Sequence, residues 1–311
     1  MFSNALNELT PYPPVSIALC TYNGAAFLAQ QLESILSQTY PNITDIVCVD
    51  DCSTDETLSL LHQFALRDGR IRIFQNSSNL GYIRNFEKAM GLTHEPLIAL
   101  SDQDDHWYPA KIERLVAAIG TNLLVYSDSE YINEQGEKTG QKLSDYRKLG
   151  MEMNVLNLAL FNVVAGHTMM IRRELFAQSI PFHTKIPHDY WLAFQAAKSG
   201  SIGFVDEVLV GYRQHTTNVL GAIGSKNKNK SNVLAQTHER LTAFSDSLQG
   251  VNVKHQALLK NLSSFYVDLS WQKRMRKVGF FWKHQHELLQ AKRRNNLRKR
   301  FYCIQMYWRT T

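Results

Sequence analysis

The segment LIALSDQDDHW (residues 97–107) places three carboxylates, Asp102, Asp104 and Asp105, directly after an apolar run. The run is typical of a buried strand, and ligands bind at the carboxyl ends of strands in open α/β sheets. A hard divalent cation, Mg²⁺ or Mn²⁺, would relieve the repulsion between these acids because such ions prefer oxygen ligands. The segment therefore indicates a metal–diphosphate site. In the alternative interpretation it is an acidic loop in which Asp105 caps the next helix.

An alternation of strands and helices surrounds this segment and predicts a parallel α/β sheet. The predicted strands span residues 15–21, 45–51, 71–76, 97–102 and 122–129. Three of these strands end in aspartate: the second at Asp50 and Asp51, the fourth at the cluster of Asp102, Asp104 and Asp105, and the fifth at Asp128. We therefore expect the carboxyl ends of the strands to form one acidic edge of the sheet, covered by a loop over residues 130–150. No GxGxxG follows the first strand and no GxxxxGK[ST] occurs, which disfavours dinucleotide-binding and P-loop folds.

The second half of the chain departs from this pattern. The sequence predicts a strand and short helix over residues 165–176, a helix over 186–200 with Asp189 in its first turn, and a strand pair over 201–215. A helical pattern follows from Val233 to about Leu269. We therefore divide the chain into an α/β domain, residues 1–224, and a helical, basic C-terminal extension, residues 225–311.

Positive charge is concentrated at the C-terminal end. From Trp271 onward there are 12 basic residues and one acid, a net charge of +11, so the other 270 residues carry −5 of the total of +6. A local basic surface argues against a nucleic-acid-binding core. No apolar run reaches the ~18 residues of a membrane-spanning helix, no signal peptide is recognisable, and the cysteines lack metal-binding spacing. These features predict a cytoplasmic protein with reduced cysteines.

Five motifs in order resemble the family 2 glycosyltransferases, which have the GT-A fold: VSIALCTYNG, VDDCSTDET, NLGYIRNFEKA, SDQDD and HDYWLA. The resemblance covers roughly residues 13–220. It implies a mostly parallel sheet flanked by helices, to which this chain adds its C-terminal extension. The SDQDDxW form further resembles bacterial rhamnosyltransferases and related enzymes of cell-surface polysaccharide assembly.

The resemblance implies a role for each matching residue. The nucleotide-sugar would be bound by Thr21, Tyr22, Asn23, Asp51, Arg84, Asn85 and Asp102. The first three would line the base and ribose, Asp51 would accept a hydrogen bond from the pyrimidine ring nitrogen, and Arg84 and Asn85 would lie near the diphosphate.

The resemblance also implies a reacting centre. Asp104 would be the direct ligand of Mg²⁺ or Mn²⁺, with Asp102 and His215 beside it, and Asp189 would be the catalytic base. His167 and Trp191 would face the acceptor by the same analogy. The residues alone leave other interpretations open: Asp189 as a first-turn helix acid, His215 as an ordinary strand-end histidine, and Trp191 as a core residue.

These observations predict a metal-dependent, inverting glycosyltransferase that uses dTDP-rhamnose or a UDP-hexose. Its acceptor would be a saccharide, expected to be lipid-linked, in the synthesis of O-antigen lipopolysaccharide, capsule or exopolysaccharide. Inverting transfer needs a carboxylate that takes the acceptor's proton and a cation that stabilises the leaving diphosphate. The alternatives are a sugar nucleotidyltransferase, disfavoured because TYNGAAF lacks a basic residue, and an inactive scaffold of a polysaccharide assembly complex.

The basic tail from Trp271 also contains eight aromatic residues. This combination predicts peripheral contact with the anionic inner face of the cytoplasmic membrane. One alternative is an appendage that packs its aromatics on the catalytic domain and exposes its charges. A surface for single-stranded nucleic acid is the other, and the acidic body of the chain disfavours it.

Overall fold

The structure is a computed structural model that describes residues 12–150, 154–200, 202–215, 230–268, 270–289 and 296–307. Its strands are β1 (Val15–Thr21), β2 (Ile43–Asp50), β3 (Ile71–Gln75), β4 (Leu97–Ser101), β5 (His106–Trp107), β6 (Leu124–Ile132), β7 (Lys138–Lys142), β8 (Met169–Arg172) and β9 (Ile202–Arg213). The helices of the first two thirds are α1 (Ala25–Leu36), α2 (Thr57–Arg67), α3 (Tyr82–Leu92), α4 (Lys111–Ile119), α5 (Leu143–Tyr146), α6 (Val155–Leu160), α7 (Arg173–Ser179) and α8 (His188–Lys198). The C-terminal helices are α9 (Lys230–Ser247), α10 (Val253–Ser264), α11 (Trp271–Lys283), α12 (Gln285–Leu288) and α13 (Asn296–Gln305).

The strands form one sheet in the order β3-β2-β1-β4-β8-β6-β9-β5, with β7 paired to β6. The first four strands of the chain, β1 to β4, run parallel, and so do β6 and β9. β8 is antiparallel to both β4 and β6, and it joins the two parallel groups. The predicted α/β fold, with a mostly parallel sheet flanked by helices, is confirmed.

Two hydrophobic layers cover the parallel strands. Val47 and Ile98 enter the layer that contains residues of α3 and α8. Ile46 and Ala99 enter the opposite layer, which contains residues of α1, α2 and α4. Because successive strand residues point to opposite faces, a strand covered on both sides is apolar throughout. This explains the unbroken apolar runs of β1 and β4, whose carboxyl ends are held together at one edge.

Three predictions for the second half of the sheet are corrected. β6 continues to Ile132, so Asp128 lies within a strand, at 4% exposure, and does not end one. The expected loop over residues 130–150 contains β7, paired to β6, and the short helix α5. The expected strand pair over residues 201–215 is the single strand β9, because β9 pairs with β6 along most of its length.

The predicted helical C-terminal extension is confirmed, and it packs on the α/β layers. The Phe244 ring of α9 stacks on Phe194 of α8 with 3.9 Å between centroids. Asn157 Nδ2 of α6 donates to the Glu287 carbonyl of α12 at 2.8 Å. The proposed boundary at residue 224 lies outside the described residues. Within the described part of the chain, no helix has both the length and the apolar character needed to cross a membrane.

Candidate active site

The turn after β1 lies beside the acidic segment. The Tyr22 amide donates to Gln103 Oε1 at 2.8 Å, and its carbonyl accepts from Gln103 Nε2 at 3.0 Å. Asn23 has φ 47, a left-handed conformation that asparagine tolerates. Tyr22 and Asn23 are exposed at the edge, whereas Thr21 is buried and donates to Asp50 Oδ1 at 2.9 Å. Of the three residues predicted to line the base, Tyr22 and Asn23 are therefore the accessible ones.

Asp51 is buried, and both of its carboxylate oxygens accept hydrogen bonds. Oδ1 accepts from Asn76 Nδ2 at 2.7 Å and from the Leu80 amide at 2.8 Å, and Oδ2 accepts from the Gly81 amide at 2.9 Å. Gly81 has φ 78, a conformation in which a side chain would be strained. A carboxylate offers about four acceptor sites. Asp51 thus anchors the turn before α3 through three of these sites.

α3 separates the two residues predicted to lie near the diphosphate. Arg84 is partly exposed and pairs with Glu87 Oε2 at 2.5 Å. Asn85 is buried, its Nδ2 donates to the Val49 carbonyl at 2.9 Å, and its Oδ1 accepts from Asn76 at 2.8 Å. The amide of Asn85 is thus used at both ends to join α3 to β2, and its place near the diphosphate stays a prediction. Adjacent helix residues do not share a face.

The acidic segment after β4 divides its carboxylates between two neighbouring groups. Asp102, Asp105 and His167 each place one potential ligand atom within 4.8 Å of the others. Asp104 faces His215, whose Nε2 lies 2.8 Å from Asp104 Oδ2. The structure therefore brings Asp102, Asp104 and His215 to one edge of the sheet, and it adds Asp105 and His167 to them. We call these five residues the acidic group.

His167 is buried next to Asp102 and Asp105, and its predicted role at the acceptor stays a prediction. It is 5% exposed, and its Nε2 lies 3.1 Å from Ser129 Oγ. Its ring stacks on Tyr212 of β9 with 4.4 Å between centroids. Burial, followed by the charges of Lys111 and Arg147, lowers the pKa of His167 to about 3. The imidazole is therefore neutral, the form that binds metal.

Trp191 lies apart from the acidic group, and its predicted role at the acceptor stays a prediction. Its Nε1 donates to the Ser179 carbonyl at 2.8 Å, and its ring stacks on Phe244 of α9. Residues two positions apart on a helix do not face each other. Trp191 and Asp189 thus point to different sides of α8, and Trp191 serves the contact with the C-terminal helices.

Burial disfavours the ionised form of the Asp102 and Asp105 carboxyl groups and so raises their pKa values. Burial, then the charges of Asp104 and Asp189, raise the pKa of Asp102 to about 7. Burial, then the charges of Asp104 and Asp102, raise the pKa of Asp105 well above its usual range. Lys111 is fully buried beside them, where its Nζ donates to the His167 carbonyl at 2.7 Å. Burial lowers the pKa of Lys111 well below its usual range, so Lys111 offsets only part of the negative charge of these carboxylates.

The donor set fits a hard divalent cation. Asp105 Oδ2 is buried and has no hydrogen-bond partner among the described residues, although buried polar atoms normally have one. Its nearest basic atom is His167 Nδ1, at 4.0 Å. A bound Mg²⁺ or Mn²⁺ would supply positive charge at this place, and carboxylate ligands suit both ions.

Arg213 holds the backbone of the acidic segment in place. It is 1% exposed, its amide donates to Asp105 Oδ1 at 3.2 Å, and its Nε donates to the Asp104 carbonyl at 2.9 Å. Its Nη2 donates to Gln30 Oε1 at 2.8 Å, which ties the segment to α1. Sequence analysis missed Arg213, although its position two residues before His215 was a usable signal.

Asp189 lies in the first turn of α8, after Pro187. Its Oδ1 accepts from the Tyr190 amide at 2.6 Å, and its Oδ2 accepts from Asn162 Nδ2 at 3.2 Å. Burial raises the pKa of Asp189, which the Tyr190 amide, the Arg147 charge and Asn162 partly oppose. Its charge in turn raises the pKa of Asp102. The Gly166 backbone packs against Asp189, since a Cβ atom added at Gly166 would lie 3.4 Å from Asp189 Cβ. Asp189 therefore lies next to the segment that carries His167.

Arg147 is a second residue that sequence analysis missed. It lies in a segment fixed at both ends, where the Ser144 amide donates to Asp128 Oδ1 and the Gly150 amide donates to Tyr126 Oη, each at 3.1 Å. The Arg147 guanidinium is partly buried and has no hydrogen-bond or ion-pair partner among the described residues. Its charge lowers the pKa values of Asp189 and of His167. The structure thus holds an unpaired cation beside the acidic group.

The chain is similar to known proteins along most of its length. The model of the family described as glycosyl transferase family 2 matches residues 16–179. An uncharacterized glycosyltransferase of Haemophilus influenzae is 26% identical over 269 residues, which are 83% of this chain and 82% of that protein. Escherichia coli WfaP, named a UDP-Glc:alpha-D-GlcNAc-diphosphoundecaprenol beta-1,3-glucosyltransferase, is 28% identical over 78% of this chain and 95% of its own.

Solved structures share the fold. Staphylococcus aureus TarS 1–349 in complex with UDP-GlcNAc superposes with a TM-score of 0.62 at 17% identity. The superposition covers 94% of this chain and 89% of that chain. It therefore includes the C-terminal helices as well as the sheet.

Proposed function

The chain belongs to glycosyl transferase family 2, and we propose that it is an inverting, metal-dependent enzyme of cell-surface polysaccharide biosynthesis. The observation that supports this proposal is that Asp104 and His215 lie together after β4, while Asp189 packs against the segment that carries His167, a neighbour of Asp102. A base and a cation site that share one space are what a single displacement of a diphosphate requires.

In this mechanism the acceptor hydroxyl oxygen attacks the anomeric carbon of the donor sugar. The bond from that carbon to the diphosphate oxygen breaks, the configuration inverts, and the hydroxyl proton passes to the Asp189 carboxylate. The raised pKa of Asp189 makes it a better proton acceptor once it is ionised. Transfer should therefore fall as the pH drops through this raised pKa, because the protonated form cannot act as a base.

The cation would be Mg²⁺ or Mn²⁺, held by Asp104, Asp102 and His215, with Asp105 and His167 behind them. When bound, such an ion stabilises the negative charge of the leaving nucleoside diphosphate. Asp189 lies outside this ligand set and so stays available as the base. Arg213 and Gln103 hold the acidic segment against α1 and the turn after β1.

The nucleotide would lie over the ends of β1 and β2, with its base near Asp51, Tyr22 and Asn23. A UDP-hexose is our first candidate donor, supported by the UDP-Glc in the name of WfaP and by the UDP-GlcNAc bound to TarS. dTDP-rhamnose is the second candidate. The diphosphoundecaprenol in the name of WfaP supports a lipid-linked acceptor. Such an acceptor would place the enzyme at the inner face of the cytoplasmic membrane.

A thermal-shift screen with UDP, dTDP, GDP and CDP tests the proposed function. We expect one of the pyrimidine nucleotides to stabilise the protein only when Mn²⁺ or Mg²⁺ is present. At 100 times its Kd a ligand adds about 2.7 kcal/mol to the free energy of unfolding. Stabilisation by none of the four with metal would contradict the proposal. Two assays test the nucleotidyltransferase alternative. It would be excluded if the protein hydrolyses the nucleotide-sugar donor but forms no nucleotide-sugar from nucleoside triphosphate and sugar phosphate.

Arg147→Met tests whether the unpaired guanidinium contacts the diphosphate. A hydrogen bond to a charged group contributes about 1.5–3 kcal/mol, so we expect the Kd of the nucleoside diphosphate to rise by about 10-fold to 100-fold. The free protein should stay folded, because the guanidinium makes no hydrogen bond or ion pair with the described residues. Isothermal titration calorimetry with metal present measures the effect. Lys148→Met, an exposed neighbour, is the control, and equal affinities for all three proteins would refute the contact.

A further inference from the structure

α11 exposes a stripe of large apolar side chains. Trp271 is 64% exposed, Met275 is 54% exposed and Trp282 is 45% exposed. Spacings of four and eleven residues return to nearly the same side of a helix with 3.6 residues per turn. These three side chains therefore form one line along α11. Together with Arg276 and Lys283, we call them the α11 face.

Basic residues lie beside this stripe on the exposed side of α11. Arg276 and Lys283 are exposed and follow Met275 and Trp282 by one position each. One position is about 100° around the helix, so the two charges form a parallel row next to the apolar row. α11 contains no Asp or Glu. The α11 face thus combines an apolar row with an uncompensated positive row.

The opposite side of α11 fixes this orientation. Phe281 is 1% exposed and Phe280 is 8% exposed, and both belong to the large hydrophobic core. The aromatic residues of α11 therefore divide into two sets, one buried against the protein and one directed to solvent. Packing within the chain explains the first set and leaves the tryptophans unexplained.

α13 extends the exposed surface. The Arg300 guanidinium lies 5.8 Å from the centre of the Trp282 ring. Phe301, next to Arg300, is 59% exposed, and Ile304, one helical turn further, is 51% exposed. The surface next to Trp282 thus repeats the combination of exposed apolar and basic side chains.

We propose that the α11 face binds an anionic lipid surface, with Trp271, Met275 and Trp282 inserted and Arg276 and Lys283 at the headgroups. Tryptophan favours the membrane interface, where its ring is both apolar and polar, and clustered basic residues bind anionic lipids. Charge complementarity favours lipid over a second copy of this chain, because two copies of the same basic face would repel each other. The biological role of this contact rests on the proposed function, in which the acceptor is lipid-linked. Binding to the lipid surface can be measured without any glycosyltransferase activity.

Vesicle sedimentation of the full chain tests the proposal. We expect wild type to sediment with phosphatidylglycerol-containing vesicles, to stay in solution with phosphatidylcholine alone, and to dissociate in high salt. The triple variant Trp271→Ser, Met275→Ser, Trp282→Ser should bind at least about tenfold more weakly. Arg276→Gln with Lys283→Gln should weaken binding about fivefold for each charge at low salt. Binding of the wild type to both kinds of vesicle or to neither would overturn the proposal.

Leu66→Ser is the matched control, because Leu66 is 90% exposed on α2, outside the α11 face. It should sediment like wild type, and equal losses in Leu66→Ser and the triple variant would overturn the assignment to α11. Nucleotide binding by the triple variant checks that it is folded and separates this proposal from the proposed function. A wild-type dimer in light scattering that the triple variant abolishes, without loss of vesicle binding, would show that the face binds a second copy.

Discussion

We expect Asp189→Asn to reduce sugar transfer by about 10²-fold to 10⁴-fold, the usual contribution of a general base. The asparagine side chain is nearly isosteric, and its carbonyl oxygen can still accept from the Tyr190 amide, which now lies 2.6 Å from Asp189 Oδ1. What it cannot do is take a proton from the acceptor hydroxyl. Transfer of sugar from labelled donor measures the loss, and calorimetry should find an unchanged Kd for the donor.

Asp45→Asn is the control for this substitution. Asp45 is a buried carboxylate near the start of β2, where it pairs with Arg72 at 3.0 Å. Its replacement removes a buried charge at the end of the sheet opposite to the site, so transfer should continue at nearly the wild-type rate. Near-normal turnover of Asp189→Asn would show that another group is the base. An equal loss of donor binding would identify Asp189 as a nucleotide-binding residue.

Asp104→Ala should abolish metal-dependent binding of the nucleoside diphosphate while the protein stays folded. Loss of outer-shell partners alone typically costs 10-fold to 100-fold in metal affinity, so loss of a direct ligand should cost at least about 10²-fold. The fold should survive because Asp104 is only partly buried and its side chain contacts His215 at the surface edge. Calorimetry with UDP, with and without Mn²⁺, measures the change.

Asp206→Ala serves as the comparison because Asp206 is an exposed acid on β9. It removes the same charge from the chain without touching the acidic group, so metal-dependent binding should stay at the wild-type level. Retention of that binding by Asp104→Ala would refute the assignment of Asp104 to the metal. His215→Ala should show the same defect as Asp104→Ala if the two residues share one cation.

β1, β2 and β4 could be predicted from the sequence because both of their faces are buried along most of their length. Such strands are mostly apolar, as in VSIALCT and LIAL, and their predicted ends lie within two residues of the observed ends. The end of β6 could not be predicted in this way. Ser129 and Glu130 are polar, yet both are buried beside β9, which comes 70 residues later in the chain.

The site was predictable where neighbours in sequence are neighbours in space. The acids of the SDQDD segment are an example, since the strand before them fixes their place. Lys111 was not predictable, because a lysine in the first turn of an amphipathic helix is usually exposed, and only the fold reveals that it is fully buried. The position of His167 depends on β8, whose antiparallel direction the strand pattern does not reveal.

The stacked rings of Phe194 and Phe244 limit where this chain can be shortened. A truncation before α9 would expose Phe194 to water, together with Tyr190, whose ring centre lies 5.4 Å from that of Phe244. Burial of one large apolar side chain contributes about 1.5–3 kcal/mol, and whole domains are stable by only about 5–15 kcal/mol. A minimal version of this enzyme must therefore retain α9 in order to keep α8, and with it Asp189, in a folded protein.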